Sequence, residues 1–413
     1  MNLKPLLSIF VAIMMGVSAY FGSLTYQCLQ LWLAFASPKA FRWYIDVTMF
    51  MWICSSISLL EWVIGVKFRL YGDKIISNER ALIIMNHRSR LDWLYFYGIL
   101  MRFGSSLRDE KIVLKSELKR IPGPGWAMQC GSYIFLERNL EIDKLHLSNM
   151  IEYFSNVEHN TKILIFPEGT DLSDYAKERS NKYADKMGLP RYENVLHPRT
   201  AGFLHLTEEM IRCFKDFDAI YDVTSAYPDK DFACNELQFI MGRASTEVHF
   251  LCRRYSLKEI LGSGDKIVKS VSTIDLFKEE ETEEKLKTFI NVLWNNKEKM
   301  LTEYYQKNED KPSSFRSSEV ELNSVLIKQL ISVLLICGNI FTCIYALFII
   351  PNVSLPIFFI LNAIFIYVDI FQDGVDELVL KLSLKDKYRT FSRSGISQQH
   401  RKHSNDGKII KEE

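Results

Sequence analysis

The sequence predicts an α/β domain held between two membrane-embedded regions. Two runs of the 413-residue chain contain no charged side chain, residues 5–38 and residues 329–368. A helix that crosses a bilayer needs about 20 apolar residues, so each run is long enough for at least one crossing. Between them, residues 68–310 carry charge throughout and alternate short apolar runs with longer amphipathic stretches. That alternation is typical of an α/β domain.

The first 67 residues form the predicted N-terminal membrane region. Their uncharged run is longer than the apolar core of about 7–15 residues in a secretory signal, and it ends without a small-x-small cleavage site. A second apolar stretch, residues 47–60, is shorter than a full span and is bracketed by Asp46 and Glu61. The tryptophans around it suit a segment that either lies in the headgroup region or crosses there.

The central domain, residues 68–310, contains the predicted strands and helices. Apolar runs predict strands at 81–86, 111–115, 132–136, 162–166, 220–226 and 247–252. Amphipathic spacing predicts helices near 92–102, 143–156, 200–215 and 281–306.

Three further segments follow this domain. Residues 311–328 are predicted to be a linker, because Lys, Pro and Ser dominate their first half. Residues 329–371 are predicted to form a membrane hairpin that turns near Pro351 and Pro356. Residues 372–413 are basic and poor in apolar side chains, which predicts a disordered tail.

The composition excludes several classes of function. A net charge of +1 and the lack of a basic stripe argue against a nucleic-acid partner. The eight cysteines show no Cys-x-x-Cys, and no His-x-x-Glu-His is present, so neither a disulfide framework nor a metal site is expected. No prosthetic group or other cofactor is implied.

The first candidate site residues follow the apolar run at 81–85. This run predicts a buried strand that delivers His87 to its carboxyl end, and Asp92 comes five residues later at the start of a helix. A carboxylate at that spacing can accept the imidazole N–H and orient the ring as a general base. A loop histidine beside an aspartate that merely caps a helix is the alternative, and these residues alone favour it.

A second apolar run, residues 162–166, ends in the turn Pro167-Glu168-Gly169-Thr170. Two strands that each end in a polar loop indicate one shared site, because open α/β folds bind ligands at strand carboxyl ends. In this turn Gly169 allows close backbone approach, the Thr170 hydroxyl can donate, and the Glu168 carboxylate can position a hydroxyl.

A third predicted strand ends in Arg138, whose guanidinium can hold a phosphate through two hydrogen bonds. An ordinary surface ion pair with Glu137 or Glu141 explains this residue equally well from the sequence. The chain contains no Gly-x-Ser-x-Gly, which argues against a lipase or thioesterase with a serine nucleophile.

His-x-x-x-x-Asp at 87–92 followed by Phe-Pro-Glu-Gly-Thr at 166–170 resembles the glycerolipid acyltransferase family, which includes the 1-acyl-glycerol-3-phosphate acyltransferases. The runs at 114–129 and 192–200 resemble the branch of that family that contains lysocardiolipin acyltransferase. The resemblance covers essentially the whole central domain. It implies an α/β acyltransferase domain lying against the bilayer.

The resemblance also implies roles for individual residues. His87 would be the general base and Asp92 its orienting partner. The family's second motif ends in an arginine, here Arg138, that binds the phosphate of the acceptor. The remaining substrate-binding residues that the resemblance and the charge pattern suggest are Lys115, Glu168, Gly169, Thr170 and, on the acyl side in the fourth motif, Pro198.

One position departs from the family pattern. Many members place Arg or Ser after the threonine of the third motif, whereas this chain has Asp171, a residue usual in the lysocardiolipin branch. The substrate anion would then be held by Arg138 together with one of three other basic residues, Lys115, Lys119 or Arg120.

The expected function is transfer of a fatty acyl group from acyl-coenzyme A to an anionic lysophospholipid. The resemblance implies the endoplasmic reticulum membrane, with a mitochondrial or mitochondria-associated membrane as the alternative. A lysophosphatidate acyltransferase is the nearest alternative function, and a non-catalytic membrane adaptor with the same fold is another. The head group, the acyl preference, the number of spans and the oligomeric state are left open by the sequence.

Overall fold

A computed structural model describes residues 3–229, 235–261, 280–306, 315 and 319–388. In that part of the chain eight strands form one mixed sheet in the order β4-β3-β5-β2-β6-β7-β1-β8. Their bounds are β1 Lys67–Gly72, β2 Arg80–Met85, β3 Glu110–Lys115, β4 Ile134–Leu136, β5 Lys162–Ile165, β6 Phe217–Ala226, β7 Glu247–Ser256 and β8 Glu319–Val320. Neighbours from β4 to β6 are parallel, whereas β7 runs antiparallel to β6.

The two strands at the centre of the sheet bring the predicted motifs together. β2 is buried along its apolar run because it has a parallel neighbour on each side. In the register of β2 with β5, Ile84 lies opposite Ile165, so the two strands end at the same edge. The loops that begin at Asn86 and Phe166 therefore leave the sheet side by side.

Helices connect these strands and extend beyond them. Their bounds are α1 Lys4–Gly22, α2 Trp32–Ala36, α3 Pro38–Leu59, α4 Asp92–Leu100, α5 Pro124–Cys130, α6 Leu140–Asn156, α7 Asp174–Met187, α8 Thr200–Cys213, α9 Glu236–Ile240, α10 Leu257–Leu261, α11 Glu280–Gln306, α12 Leu326–Ile349, α13 Pro351–Gln372 and α14 Val375–Leu384. Short 3-10 or π segments follow several of them.

Helix α7 was not predicted, because most of its residues are polar and its buried face consists of only two small side chains, Ala176 and Ala184. Local signals nevertheless mark both of its ends. The Ser173 side chain accepts a hydrogen bond from the amide of Ala176, and Gly188 ends the helix with φ +66°. This helix lies between the third and fourth family motifs.

Four helical segments are long and apolar enough to cross a membrane by length and composition: Lys4–Ala36, Pro38–Ile64, Leu326–Ile349 and Pro351–Gln372. The protein is therefore a membrane protein. The last two correspond to the predicted hairpin, but the chain turns at Ile350, and Pro356 lies inside α13 rather than at a break.

The segment that begins at Pro38 packs against the α/β domain. Asp46 on α3 accepts a hydrogen bond from Lys111 Nζ at 2.7 Å and contacts His159 Nε2 at 3.0 Å. Arg42, one turn earlier, pairs with Asp46 at 2.9 Å. All four side chains are buried, so opposite charges compensate one another inside the protein rather than facing lipid.

Two boundaries predicted from the sequence are wrong. Inside the predicted linker, β8 pairs with β1, and α12 already begins at Leu326. The predicted disordered tail begins instead with helix α14, which buries Val375, Val379 and Leu380 against the domain. Apolar side chains at helical spacing explain this helix, although acidic and basic residues separate them. The predicted linker residues 311–314 and 316–318 and tail residues 389–413 lie outside the described residues.

Candidate active site

The imidazole of His87 lies at the carboxyl end of β2, where three neighbours hold it in place. Asn86 fixes the strand end through hydrogen bonds with the backbone of Ser225 at 2.8 and 3.2 Å. The His87 ring stacks on Phe166, with ring centroids 4.2 Å apart, and its Nδ1 lies 3.1 Å from Asp92 Oδ2. Its Nε2 has no hydrogen-bond partner among the described residues, and 17% of the side chain is exposed. One ring nitrogen is thus oriented and the other is available.

The carboxylate of Asp92 is fully buried and accepts hydrogen bonds on both oxygens. Besides His87, its Oδ2 accepts from the amides of Arg88 at 2.7 Å and Ser89 at 2.9 Å. Its Oδ1 accepts from the hydroxyl of Tyr227, which follows the end of β6. The two amide donors precede Asp92 in the chain, and the N-cap position of α4 is Leu91, so Asp92 is not an ordinary helix N-cap. These donors fix the carboxylate so that it can orient the imidazole.

The carboxylate of Glu168 is also buried, and all its hydrogen-bond donors come from the protein. Oε1 accepts from the amide of His87 at 3.3 Å and from Trp294 Nε1 at 3.2 Å, while Oε2 accepts from the amide of Leu196 at 3.1 Å. Burial raises the pKa of Glu168 to about 7, although these three N–H donors and the nearby His87 favour the charged form. Glu168 therefore holds the His87 loop, the fourth-motif loop and helix α11 together.

The turn after Glu168 takes the conformation that its glycine allows. Gly169 has φ +73°, a region that residues with a Cβ rarely adopt. The hydroxyl of Thr170 donates to Asp171 at 3.4 Å, and Asp171 lies 3.5 Å from the guanidinium of Arg90. The acidic residue that departs from the family pattern is thus paired with a neighbouring arginine.

Pro198 lies in a loop that packs on this turn. Two residues before it, the amide of Leu196 donates to Glu168, and directly after it the amide of Arg199 donates to the carbonyl of Pro167 at 2.8 Å. The third and fourth motifs are therefore in backbone contact. This arrangement brings Pro198 to the same edge of the sheet as His87.

The predicted phosphate ligands occupy the strands on one side of that edge. β3 and β4 are in register at Lys115 and Leu136, so Lys115 and Arg138 both lie near strand carboxyl ends, and both are exposed. Neither forms an ion pair with the residues that the structure describes, so the alternative pairing of Arg138 with Glu137 or Glu141 is not found. Lys119 is different, because its ammonium pairs with buried Asp376 of α14 at 2.8 Å.

One group of possible metal ligands is present in the described part of the chain. His146, Asp376 and Glu377 offer ligand atoms within 4.8 Å of one another. Cationic partners already contact this group, since Lys119 pairs with Asp376 and His146 Nδ1 lies 3.0 Å from Glu377. We assign these residues to the attachment of α14 and not to a metal site.

Two residues of the site were missed by sequence reasoning. Tyr227 lies 135 positions from Asp92, and Trp294 lies 126 positions from Glu168. The sequence did contain a signal for Tyr227. Strand β6 was predicted, and a residue that follows it would lie at the sheet edge where β2 delivers His87. Nothing in the spacing of α11 distinguishes Trp294 from an ordinary core residue.

This geometry, with a histidine–aspartate pair and a glutamate turn at one sheet edge, agrees with comparison to known proteins. The model of the family described as acyltransferase matches residues 67–227, which include β1 to β6 and both loops. The chain belongs to the acyltransferase family.

Several relatives within the family have been named. The chain is 40% identical over 298 residues to lysocardiolipin acyltransferase 1 of Gallus gallus, covering 72% of this chain and 73% of that protein. It is 37% identical over 260 residues to lysophosphatidylinositol acyltransferase 10 of Caenorhabditis elegans, covering 62% and 66%. It is 36% identical over 209 residues to probable 1-acyl-sn-glycerol-3-phosphate acyltransferase 5 of Arabidopsis thaliana, covering 51% and 54%. No solved structure matches the chain.

Proposed function

We propose that this protein transfers a fatty acyl group from acyl-coenzyme A to the free hydroxyl of an anionic lysophospholipid. The observation that carries the proposal is the His87–Asp92 pair at the edge shared with Glu168, with His87 Nε2 available. The names of two relatives, which act on lysocardiolipin and on lysophosphatidylinositol, support the anionic acceptor. The apolar helices support a substrate taken from the bilayer.

In the proposed reaction His87 Nε2 accepts the proton of the acceptor hydroxyl as its oxygen attacks the thioester carbonyl. Asp92 holds the Nδ1 proton and stabilises the imidazolium. The tetrahedral intermediate then expels the thiolate of coenzyme A, which takes the proton from the imidazolium. The products are the acylated lipid and free coenzyme A. The attacking hydroxyl belongs to the lipid, so no acyl-enzyme forms and no cofactor is required.

The remaining predicted residues have supporting roles in this proposal. Arg138 and Lys115, which are exposed near the ends of β4 and β3, would bind the acceptor phosphate. Gly169, Thr170 and Pro198 would line the path between that phosphate and His87. We place the reaction at the endoplasmic reticulum membrane, with a mitochondrial membrane as the alternative.

The test is an acyl transfer assay on purified protein in lipid, with labelled acyl-coenzyme A and a panel of lysophospholipids. We expect transfer to lysocardiolipin, lysophosphatidylinositol or lysophosphatidylglycerol to exceed transfer to zwitterionic acceptors. A preference for 1-acyl-glycerol-3-phosphate would instead support the phosphatidate-forming activity named for the plant relative. No transfer to any acceptor would favour the non-catalytic adaptor.

The base is tested in the same assay by His87→Ala. We expect the rate to fall by about 10²–10⁴-fold, because proton removal from the hydroxyl would lose its acceptor. The thermal unfolding midpoint should change little, since the ring is partly exposed and Asp92 keeps its donors from Arg88, Ser89 and Tyr227. Near-normal turnover in a folded variant would contradict the mechanism while leaving the acyl transfer itself established.

A further inference from the structure

Helix α7 is attached to the fourth-motif loop by side-chain hydrogen bonds. Asn181 accepts from the amide of Tyr192 at 3.0 Å and donates to the carbonyl of Tyr192 at 3.1 Å. The hydroxyl of Ser180 accepts from the amide of His197 at 3.0 Å. Arg179 directly precedes Ser180, and Arg199 comes two residues after His197. These contacts hold the two arginines on adjoining segments of the chain.

The side chain of Arg199 crosses the Gly169 turn. A Cβ placed on Gly169 would lie 3.3 Å from both Cδ and Nε of Arg199, a distance tighter than most real contacts. The amide of Arg199 is fixed on the carbonyl of Pro167 at 2.8 Å. Glycine at this position therefore leaves room for the guanidinium group. The arginine lies directly beside the turn that contains Glu168, whose carboxylate contacts the amide of His87.

The charges around Arg199 are positive and uncompensated. Partial burial and then the positive charges of Arg179 and Arg138 lower the pKa of Arg199. Within the described residues none of these three arginines forms an ion pair, whereas nearby Arg90 pairs with Asp171 and Arg191 pairs with Asp185. Three cations held together without a counter-charge repel one another, and a bound anion would relieve that repulsion.

We propose that Arg138, Arg179 and Arg199 form one binding site for a substrate group that carries at least two phosphate charges. A single phosphodiester charge would leave two of the three guanidinium groups uncompensated, whereas two or more charges match the cluster. Arginine suits this role because its planar fork binds phosphate oxygens in pairs. The inference rests on the proposed function and extends it. Many family members have an arginine or a serine at the position of Asp171. In this chain Arg179 and Arg199 would supply the positive charge that such an arginine provides.

Two parts of the substrates have this chemistry. One is the head group of an acceptor with two phosphates, such as lysocardiolipin. The other is the diphosphate and 3′-phosphate of coenzyme A. Both would reach the mouth of the site beside His87, and the experiment separates them.

The first arm measures anion binding without turnover. Purified full-length protein in detergent is titrated with inorganic pyrophosphate, and the thermal unfolding midpoint is followed. We expect pyrophosphate to stabilise the wild type and to bind Arg179→Gln and Arg199→Gln at least tenfold more weakly. Lys182→Gln is the matched control, since it removes a positive charge from the same exposed face of α7 and its own partner is Glu178. It should bind pyrophosphate as the wild type does.

The second arm identifies the source of the anion through KM. If the site binds the acceptor, Arg179→Gln should raise KM at least tenfold for lysocardiolipin and less than threefold for lysophosphatidylglycerol. If it binds the donor, Arg179→Gln should raise KM at least tenfold for acyl-coenzyme A and less than threefold for lysocardiolipin. KM for the 3′-dephospho analogue should then stay unchanged if the 3′-phosphate is the bound group, and rise as well if the diphosphate is. Either result supports the site.

Three results would overturn the inference. They are no stabilisation of the wild type by pyrophosphate, equal stabilisation of the arginine variants, or an equal loss in Lys182→Gln. A protein that binds pyrophosphate through these arginines but acylates no lysophospholipid would contradict the proposed function and leave the anion site intact. Arg179→Lys should bind with intermediate affinity, because it keeps the charge and loses the paired hydrogen bonds.

Discussion

At the scale of single residues, the two buried carboxylates of the site differ in what surrounds them. Asp92 accepts hydrogen bonds from two amides of its own turn and from the Tyr227 hydroxyl, besides the imidazole. These donors hold the carboxylate in a fixed position beside the imidazole, as orienting the ring requires. Glu168 accepts from three N–H donors, and its burial raises its pKa to about 7. Its protonation therefore changes near neutral pH.

The raised pKa of Glu168 predicts a pH dependence of stability. The unfolded chain releases this proton near 4.5, whereas the folded protein retains it to about 7. Between these values the folded state binds more protons, so the free energy of unfolding falls as pH rises through that window. Ionisation of Glu168 in the folded protein lowers the free energy of unfolding by about 3 kcal/mol. This loss is complete above pH 7 and absent below about pH 4.5. We expect wild-type protein to lose stability from pH 5 to pH 8 relative to Glu168→Gln.

The difference between wild type and Glu168→Gln gives the contribution of this carboxyl to the pH dependence of stability, because all other groups titrate in both proteins. The measurement is the thermal unfolding midpoint in detergent at each pH. Parallel pH curves for wild type and Glu168→Gln would show that Glu168 has the same pKa in the folded and unfolded chains.

Sequence reasoning located the residues whose partners are close along the chain and missed those whose partners are distant. His87 and Asp92 are five residues apart, so their pairing could be inferred from one short motif. Tyr227 reaches Asp92 only because β6 lies beside β2 in the sheet. Lys119 could not be excluded as a phosphate ligand, because its partner Asp376 belongs to a segment predicted to be disordered.

At the scale of secondary-structure elements, α11 connects the sheet to the loops of the site. Lys297 pairs with Asp222 of β6 at 2.5 Å and donates to the carbonyl of Val223 at 2.6 Å. The next residue, Glu298, accepts hydrogen bonds from the backbone amides of residues 193–195. Trp294 completes the connection through Glu168. This helix lies beyond the residues that the family model matches, yet it contacts the site directly.

Removing the indole N–H of Trp294 should affect catalysis more than folding. Trp294→Phe keeps a large ring in the core and leaves Glu168 with two donors. We expect a fall in kcat of roughly tenfold, because the loop amide of His87 shares the same carboxylate oxygen. The expected loss of stability is about 1.5–3 kcal/mol, the usual contribution of one hydrogen bond to a charged group.

A matched variant on the same helix is Val292→Ala, since the Val292 side chain is half exposed. It should retain wild-type kcat. Equal losses of kcat in the two variants would indicate that α11 acts through general stability and not through Glu168.

The elements that the sequence predicted correctly are those with a clear apolar pattern. β2 and β5 are buried on both faces, which explains why their sequences are continuous short apolar runs. Strand β1 was missed because Lys67 and Arg69 interrupt its apolar residues, even though its alternating burial suits a strand. Helix α7 was missed because its residues are predominantly polar and only the small side chains of Ala176 and Ala184 are buried.

At the scale of the whole molecule, the apolar helices and the α/β domain share an interface. Trp126 of α5 stacks on Phe365 of α13 with ring centroids 4.7 Å apart and planes 4° from parallel. The ring of Tyr20 on α1 lies 6.2 Å from that of Trp126, and its hydroxyl donates to Asn362 of α13 at 2.9 Å. Contacts between aromatic and polar side chains hold the domain close to the membrane helices, where substrates with acyl chains are available.

Both ends of the C-terminal helical pair return to the α/β domain. At the start of α12, Gln329 donates to Glu61, which pairs with Arg102 near the end of α4. At the end of α13, Asp369 accepts from Gln129 at 2.7 Å and from Trp126 at 3.3 Å. Each helix is about 35 Å long at about 1.5 Å per residue, which is sufficient to cross a bilayer core of about 30 Å once.

These contacts predict that the α/β domain and the C-terminal tail lie on one side of the membrane, with the turn at Ile350 on the other. Basic residues before α12 and after α13 favour the cytosolic side for both flanks, where acyl-coenzyme A is supplied. Protease sites inserted at residue 312 and after residue 400 should be cleaved together in sealed membranes. In the same membranes a membrane-impermeant maleimide should not label Asn352→Cys until the vesicles are opened. Cleavage at only one of the two protease sites would show that residues 326–372 cross the bilayer once, although Asp369 contacts the α/β domain directly and Gln329 is linked to it through Glu61 and Arg102.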